Sequence, residues 1–253
     1  MPRRKEQSDG SNETRRVDVL LVERKIFESR AQAQAAIAAG SVKINGIIIA
    51  KPSASIPLNA VIDATPAHPY VSRGGLKLAH ALAQSGFQVS GRVCLDVGAS
   101  TGGFSQVLLD AGARRVYAID VGTAQLHQSL RDNPNLVSIE NTDIRNLTTS
   151  QFSERPDFAV IDVSFISLRN VIPPTIALLS HPADLTALIK PQFEVTKRDL
   201  KKGVVRNSAV QARVCNEIAA FVAGQGCDIV AQFPSPITGG DGNHEFFIAA
   251  KCR

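Results

Sequence analysis

Apolar stretches alternate with helical patterns over the last two thirds of the chain. Seven of these stretches have the length and composition of strands: RVCLDV, RVYAID, LVSIE, DFAVIDV, LTALIK, CDIVAQF and HEFFIAA. Strands that alternate with helices are typical of a mainly parallel sheet covered by helices on both faces. Because only the short segment PSPITGGDGN separates the last two stretches, we expect the last strand to be antiparallel. The pattern therefore predicts an α/β, doubly wound, seven-stranded sheet.

The first quarter of the chain has a different pattern. Its first residues are polar, small and charged without periodicity, which predicts a disordered tail. Two short helices follow, and the second begins with a capping-box pattern at Ser29 and Gln32 and ends at Gly40. The hairpin signal Asn45-Gly46 comes next, and AVID can close a small sheet. We expect four segments: a tail (1–14), a small α+β domain (15–63), a stiff linker (64–71) and a large domain (72–253).

Positive charge is concentrated near the amino terminus. The net charge is +5, and ten basic against six acidic residues precede Pro52. Such an excess favours a polyanionic partner. No apolar run approaches the roughly 20 residues that span a bilayer, and the chain does not start with a signal-peptide pattern. We therefore expect a cytoplasmic protein.

The four cysteines are scattered. They are Cys94, Cys215, Cys227 and Cys252, and no two of them form a Cys-x-x-Cys pair. This spacing predicts neither a metal site nor a disulfide framework, and it fits a reducing compartment.

The small domain resembles a known RNA-binding domain. From spacing alone, its basic residues fit a solvated surface and a phosphate-binding surface equally well. RVDVLLVERKIFESRAQAQAAIAAGSVKINGIII is similar to the domain first seen in ribosomal small-subunit protein four: a helix, a Ser-Arg-lined second helix ending in Gly, and an Asn-Gly hairpin. The resemblance implies that RNA faces Arg15, Arg16, Ser29, Arg30 and Lys43.

A glycine-rich turn follows the first strand of the large domain, in LDVGASTGGFSQVLLDAG. Gly98, Gly102 and Gly103 let the backbone approach a ligand at the carboxyl end of that strand. The turn is neither G-x-G-x-x-G nor a phosphate loop. Asp96 disfavours a pyrophosphate and suits a ligand that carries an amino group. A dinucleotide is therefore disfavoured.

Two more aspartates follow successive strands. Asp120 could accept both hydroxyls of a ribose, and Asp143 could contact an adenine amino group. Each alone is more often a loop or cap residue, but three carboxylates at successive strand ends resemble the class I S-adenosylmethionine-dependent methyltransferases. The resemblance implies S-adenosyl-L-methionine as cofactor and S-adenosyl-L-homocysteine as product. It also implies cofactor contacts from Ser100, Phe104 and Asp162.

The atom that is methylated can be narrowed down from the strand ends. Amino-group methylation of adenine would require Asn/Asp-Pro-Pro-Tyr/Phe, where this chain has DVSF. None of the four cysteines is well placed to be a nucleophile for carbon methylation. A hydroxyl acceptor fits better, because it requires a base and groups that orient the oxygen.

Four charged residues recur where they can converge on the methyl donor. Lys77 begins a helix, Asp162 and Lys190 end central strands, and Glu245 opens the last strand. Solvated lysines and a capping aspartate are the structural alternative. The quartet resembles the Lys-Asp-Lys-Glu tetrad of FtsJ-like ribose 2′-O-methyltransferases. Pro191 stops the strand and fixes where Lys190 projects. We expect Lys190, desolvated beside Lys77, to accept the hydroxyl proton.

The motif order of the whole chain resembles the TlyA family. The matching blocks are VSRGGLKL, DVGASTGGF, DVSFISL, KPQFE and GNHEFF. The resemblance implies S-adenosylmethionine-dependent 2′-O-methylation of cytidine in ribosomal RNA of the small or large subunit, with ribosomal RNA or ribosomal subunits as partners. The segment AHPYV departs from the Arg-x-Trp-Val linker of some members.

A basic run, KRDLKKGVVR, follows the fifth strand. It is either a solvated loop or an RNA contact, and its closeness to the tetrad favours contact through Lys197, Arg198, Lys201, Lys202 and Arg206. Two alternative functions stay open: a non-catalytic RNA-binding or ribosome-assembly factor with a relict methyltransferase domain, and the membrane-lytic protein that the family's historical name, haemolysin, suggests.

Overall fold

The computed structural model describes residues 13–253, which form two compact units that divide after Pro69. The predicted domains, 15–63 and 72–253, fall inside these units. Most of the predicted disordered tail lies outside the described residues, and Thr14 begins the first strand. No helix within residues 13–253 is long and apolar enough to cross a membrane.

The small unit combines two helices with two small antiparallel sheets. One sheet has the strand order β3-β2-β5, and the other pairs β1 with β4. Asn45 and Gly46 both have positive φ, as the tight turn between β2 and β3 requires. The elements are β1 (Thr14–Arg16), α1 (Val17–Glu23), α2 (Arg30–Ala38), β2 (Val42–Ile44), β3 (Ile47–Ile48), β4 (Ser55–Pro57) and β5 (Ile62–Ala64).

The second helix forms only one half of the predicted capping box, the bond to the Ser29 hydroxyl. Ser29 is the N-cap residue, and its hydroxyl accepts a hydrogen bond from the Gln32 amide at 3.3 Å. The Gln32 side chain reaches back to the amide of Glu28, one residue before the cap. Ala33, Ala36 and Ile37 lie on the buried face of α2, where they pack into the core of the small unit.

The large unit is a seven-stranded sheet between two layers of helices. The strand order is β11-β12-β10-β9-β6-β7-β8, and β12 alone is antiparallel to both of its neighbours. The predicted doubly wound α/β fold with an antiparallel last strand is confirmed. The elements are α3 (Gly74–Ser85), β6 (Val93–Val97), α4 (Gly103–Asp110), β7 (Arg115–Ile119), α5 (Gln128–Arg131), β8 (Leu136–Ile139), β9 (Phe158–Ile161), α6 (Leu168–Leu178), β10 (Ala183–Ile189), α7 (Ser208–Gly224), β11 (Cys227–Pro234) and β12 (Phe246–Cys252).

The central strands are buried on both faces. One face packs against α6 and α7, through side chains such as Ile172 and Ile218. The other packs against α3 and α4, through side chains such as Leu78 and Leu108. Burial on both faces explains why the strands read as nearly continuous apolar runs. It leaves the carboxyl ends of the parallel strands as the edge where polar residues collect.

The expectation that no disulfide forms is wrong for one pair of cysteines. Cys227 and Cys252 are directly opposed in the ladder between β11 and β12, and they are joined by a disulfide. They are 25 residues apart in sequence, and only the register of the two antiparallel strands brings them together. Cysteine spacing alone contains no such information. Cys94 and Cys215 are free and buried.

Candidate active site

Two adjoining cavities open at the carboxyl ends of β6, β7, β9 and β10. The tetrad cavity, of about 310 Å³, is lined by Lys77 and Lys190 among others. The aspartate cavity, of about 340 Å³, is lined by Asp120 and Asp143 among others. Gly98, Ser100, Asp162 and Ser164 line both cavities. Crevices at this end of an open parallel sheet are where ligands bind in α/β folds.

The glycine turn requires glycine at its first position. Gly98 has a φ of +87°, and a Cβ there would lie 2.4 Å from the carbonyl oxygen of Asp162. The turn after β6 and the end of β9 therefore lie too close together for any side chain at position 98. Further along the turn, Cβ atoms at Gly102 and Gly103 would collide with Leu126 and Ser72. Phe104 lies in the wall of the tetrad cavity.

Asp96 lies beneath the turn and lines neither cavity. Its side chain is fully buried, and one carboxylate oxygen accepts a 2.6 Å hydrogen bond from the Ser105 hydroxyl. The other oxygen has no hydrogen-bond partner. Burial raises the pKa of Asp96 to about 7. The Ser105 contact of Asp96 supports the start of α4, and its contact with a ligand's amino group stays a prediction.

This burial gives a pH-dependent expectation. The folded state binds the Asp96 proton more tightly than the unfolded chain does. The contribution of protonated Asp96 to the free energy of unfolding is therefore complete below about pH 4, and it is lost as the pH rises through about 7. Relative to the native protein, we expect Asp96→Asn to gain roughly 2 kcal/mol of unfolding free energy between about pH 5 and about pH 8. Urea unfolding of both proteins at each pH measures this, and parallel pH profiles would contradict it.

Asp120 and Asp143 both lie in the wall of the aspartate cavity. The two oxygens of Asp120 accept hydrogen bonds, each 2.7 Å long, from the backbone amides of Ser100 and Gly122. Asp143 forms an ion pair with Arg145 at 2.6 Å. The hydrogen-bonded Arg145 guanidinium holds the pKa of the Asp143 carboxyl below its usual range. Both carboxylates are thus held in place by hydrogen bonds, and the Asp143 carboxylate is negatively charged near neutral pH.

The four residues of the predicted tetrad form two buried ion pairs. Lys77 Nζ lies 2.5 Å from Glu245 Oε2, and Lys190 Nζ lies 2.6 Å from Asp162 Oδ1. At most about a fifth of any of these side chains is exposed. Three of them line the tetrad cavity, and Glu245 reaches it through its partner Lys77. Each lysine therefore has its own carboxylate, an arrangement that the sequence pattern did not predict.

Three further residues of the site were missed in the sequence. The Ser164 hydroxyl accepts a 2.9 Å hydrogen bond from Lys190 Nζ. Phe165 borders the aspartate cavity, and its side chain is 92% exposed at a φ of +64°. The centroids of the Phe165 and Phe193 rings are 5.1 Å apart. Arg73 lines the tetrad cavity. Ser164 and Phe165 lie in the motif DVSF, and Arg73 lies in SRGG, four residues before Lys77.

The predicted RNA contacts of the small unit differ in their surroundings. Arg15 pairs with Glu23, whereas Arg16 and Arg30 both pair with Asp18. Ser29 is occupied as the α2 N-cap. Lys43 is exposed on the middle strand of the three-stranded sheet.

The basic loop, residues 197–206, is anchored while its charges stay exposed. Val205 is buried; its amide donates to the Asn243 side chain at 3.0 Å, and its carbonyl accepts from Gln211 at 2.7 Å. Asn243 precedes Glu245 by two residues, so the loop is tied to the segment that carries the tetrad glutamate. The predicted contacts Lys197, Arg198, Lys201, Lys202 and Arg206 are all exposed.

The sheet order, the glycine turn after β6 and the acidic strand ends define a class I methyltransferase fold. More particularly, the chain belongs to the FtsJ-like methyltransferase family, whose family model matches residues 70–252. A second family model, the S4 domain, matches residues 15–62.

Relatives cover nearly the whole chain. "Putative rRNA methyltransferase YqxC" of Bacillus subtilis is 44% identical over 237 residues, which are 92% of this chain and 84% of YqxC. "16S/23S rRNA (cytidine-2'-O)-methyltransferase TlyA" of Mycobacterium tuberculosis is 43% identical over 92% of this chain and 88% of its own length. The structure "Putative hemolysin from Streptococcus thermophilus" is 39% identical with a TM-score of 0.76, over 94% and 88% of the two chains. The predicted resemblance to the TlyA family is confirmed.

Proposed function

We propose that this protein transfers a methyl group from S-adenosylmethionine to the 2′-hydroxyl of cytidine in ribosomal RNA. The observation that carries the proposal is the pair of buried ion pairs, Lys77–Glu245 and Lys190–Asp162, beside a second cavity that is lined by aspartates. The printed name of the M. tuberculosis relative supports the same reaction and substrate. A relict domain would have no need to keep four buried charges paired at this place.

The aspartate cavity fits the nucleoside part of S-adenosylmethionine. Asp120 still has lone pairs for ribose hydroxyls after accepting its two backbone amides, and Asp143 lies further along the same wall. The glycine turn would hold the methionine part. Gly98 lines both cavities and has no side chain that would fill the space between them. When bound, the cofactor supplies an electrophilic methyl group on a sulfonium ion.

The tetrad would orient and deprotonate the ribose hydroxyl, which is a weak acid. Lys190 Nζ is held between Asp162 and Ser164, so that a hydroxyl oxygen in the tetrad cavity can meet it directly. The hydroxyl proton would pass to the Lys190–Asp162 pair. Lys77 and Glu245 would fix the opposite wall. Most of the rate would come from alignment of the oxygen with the methyl carbon.

Arg73 suits the phosphate that accompanies such a ribose. A 2′-hydroxyl in RNA has a phosphate on the neighbouring 3′-oxygen, so this anion enters the tetrad cavity together with the hydroxyl. Lys77 and Lys190 already have carboxylate partners. Arg73, exposed in the same cavity and forming no ion pair within residues 13–253, would neutralise the phosphate.

Label transfer to ribosomal subunits tests the function. The full chain is incubated with tritiated S-adenosylmethionine and either small or large subunits that lack the modification. We expect label in ribosomal RNA from at least one subunit. Stable binding to subunits without any transfer would support the assembly-factor alternative instead.

The exposed cations of the basic loop give a second test, directed at the partner. We expect Lys201→Gln with Lys202→Gln to weaken RNA binding and to lower the slope of log affinity against log salt by about one for each lost phosphate contact. Lys251→Gln is the matched control, because Lys251 is exposed at the far end of β12. A salt slope equal to that of the native protein would remove the loop from the RNA interface.

A further inference from the structure

A buried carboxylate organises two of the arginines in the small unit. The side chain of Asp18 is completely buried near the start of α1. Arg16 donates to it from Nε and Nη2 at 3.0 Å each, and Arg30 donates from Nη2 at 2.8 Å. Gln34 adds a fourth hydrogen bond at 2.9 Å. The hydrogen-bonded Arg16 guanidinium holds the pKa of the Asp18 carboxyl well below its usual range, so Asp18 is ionised at neutral pH.

One side of each of the two guanidinium groups is bound to Asp18, and the other side is exposed to solvent. Their side chains are 48% and 55% exposed, although both Nη2 atoms lie within 3.0 Å of the same Asp18 oxygen. A guanidinium group has five N–H donors. Arg16 therefore keeps two N–H groups on Nη1, and Arg30 keeps most of its donors. The cluster of Asp18, Arg16 and Arg30 has a net charge of +1 and presents free donors in a fixed geometry.

We propose that Asp18 is a positioning residue for RNA binding, which holds Arg16 and Arg30 as a rigid pair of guanidinium groups that bind the phosphodiester backbone. The inference rests on RNA as the partner in the proposed function. Fixed arginines lose less side-chain freedom on binding than free ones do. The carboxylate thus strengthens binding to a polyanion although its own charge repels that polyanion.

The positioning effect of Asp18 and the repulsion by its negative charge predict opposite changes in RNA affinity, so one variant distinguishes them. If long-range charge alone set the affinity, removing the Asp18 charge would tighten RNA binding. Positioning predicts the opposite: Asp18→Asn should bind about tenfold more weakly. The full chain is titrated onto fluorescein-labelled ribosomal RNA, transcribed without modifications, at fixed ionic strength, and fluorescence anisotropy gives the affinity.

Two further variants isolate the cause. Asp63→Asn removes the same charge from an exposed site on β5, and we expect unchanged or slightly tighter binding. The double variant Arg16→Lys with Arg30→Lys keeps the net charge and the Asp18 carboxylate but removes the two-pronged guanidinium contacts. It should also bind at least about fivefold more weakly, and it keeps the proposal testable if Asp18→Asn does not fold.

Binding that is tighter or unchanged in a folded Asp18→Asn variant would overturn the proposal. So would unchanged affinity in the lysine double variant. Because the titration contains no S-adenosylmethionine, its result does not depend on methyl transfer. In a turnover assay, Asp18→Asn should raise KM for RNA and leave kcat unchanged, whereas failure of the native protein to methylate RNA would count only against the proposed function.

Discussion

Replacement of Lys190 by alanine is expected to reduce methyl transfer at least about a hundred-fold while S-adenosylmethionine still binds. The side chain touches Asp162 and Ser164 and faces the tetrad cavity, but it does not line the aspartate cavity where the nucleoside part would bind. Loss of the Lys190 ammonium group, and with it of the Lys190–Asp162 pair, should therefore affect chemistry rather than cofactor affinity. Single-turnover transfer of tritium measures the first quantity, and calorimetric titration with S-adenosylmethionine measures the second.

Lys190→Met is the matched control for the methylene chain of lysine. It keeps most of the apolar volume and removes only the ammonium group, so it should be as inactive as the alanine variant. Native activity in either variant would exclude Lys190 from the chemistry. Loss of cofactor binding together with activity would instead point to collapse of the site.

Gly98→Ala should abolish cofactor binding and destabilise the large unit by about 4 kcal/mol or more. The added Cβ would lie 2.4 Å from a backbone carbonyl oxygen, at a φ of +87°. Relief of this collision requires the turn or the end of β9 to move, and residues of both segments line the two cavities. Urea unfolding and calorimetric titration with S-adenosylmethionine measure the two effects.

Gly91→Ala separates the steric collision from backbone strain. Gly91 also has positive φ, at +76°, but no heavy atom lies within 4 Å of the added Cβ. Its alanine variant should lose only about 1–2 kcal/mol, the cost of the left-handed conformation, and should keep cofactor binding. Equal losses for the two variants would show that the close approach at Gly98 has no special role.

Most of the large fold could be predicted from the chain. Strands buried on both faces are mainly apolar, so β6, β9 and β10 stand out in the sequence. Residues that end these strands must then share one edge of the sheet. This is why the sequence alone predicts that Asp162 and Lys190 lie together.

What could not be predicted depends on register and on side-chain direction. The pairing of each tetrad lysine with its own carboxylate depends on where α3 lies against the sheet and on how the segment before β12 folds. The burial of Asp96 depends on the packing of α4 over the turn. The Cys227–Cys252 disulfide depends on the alignment of β11 with β12. None of these features has a local sequence signal.

In the small unit, too, the sequence does not show which charged side chains pair with each other. Its second helix follows from the Ser29 cap, and its hairpin follows from the Asn-Gly turn. That Arg16 and Arg30 share one buried carboxylate depends on the packing of α1 against α2, because Asp18 and Arg30 lie on different helices, 12 residues apart. The sequence indicates how many cations the surface has, whereas only the fold determines which of them are held still.

The most direct test of the account is the position of the methyl group in the product. Ribosomal RNA that lacks the modification is treated with the protein and S-adenosylmethionine, digested to nucleosides and analysed by mass spectrometry. We expect new 2′-O-methylcytidine, with the added mass on the ribose fragment. A methyl group on the base, or none on any nucleoside, would contradict it.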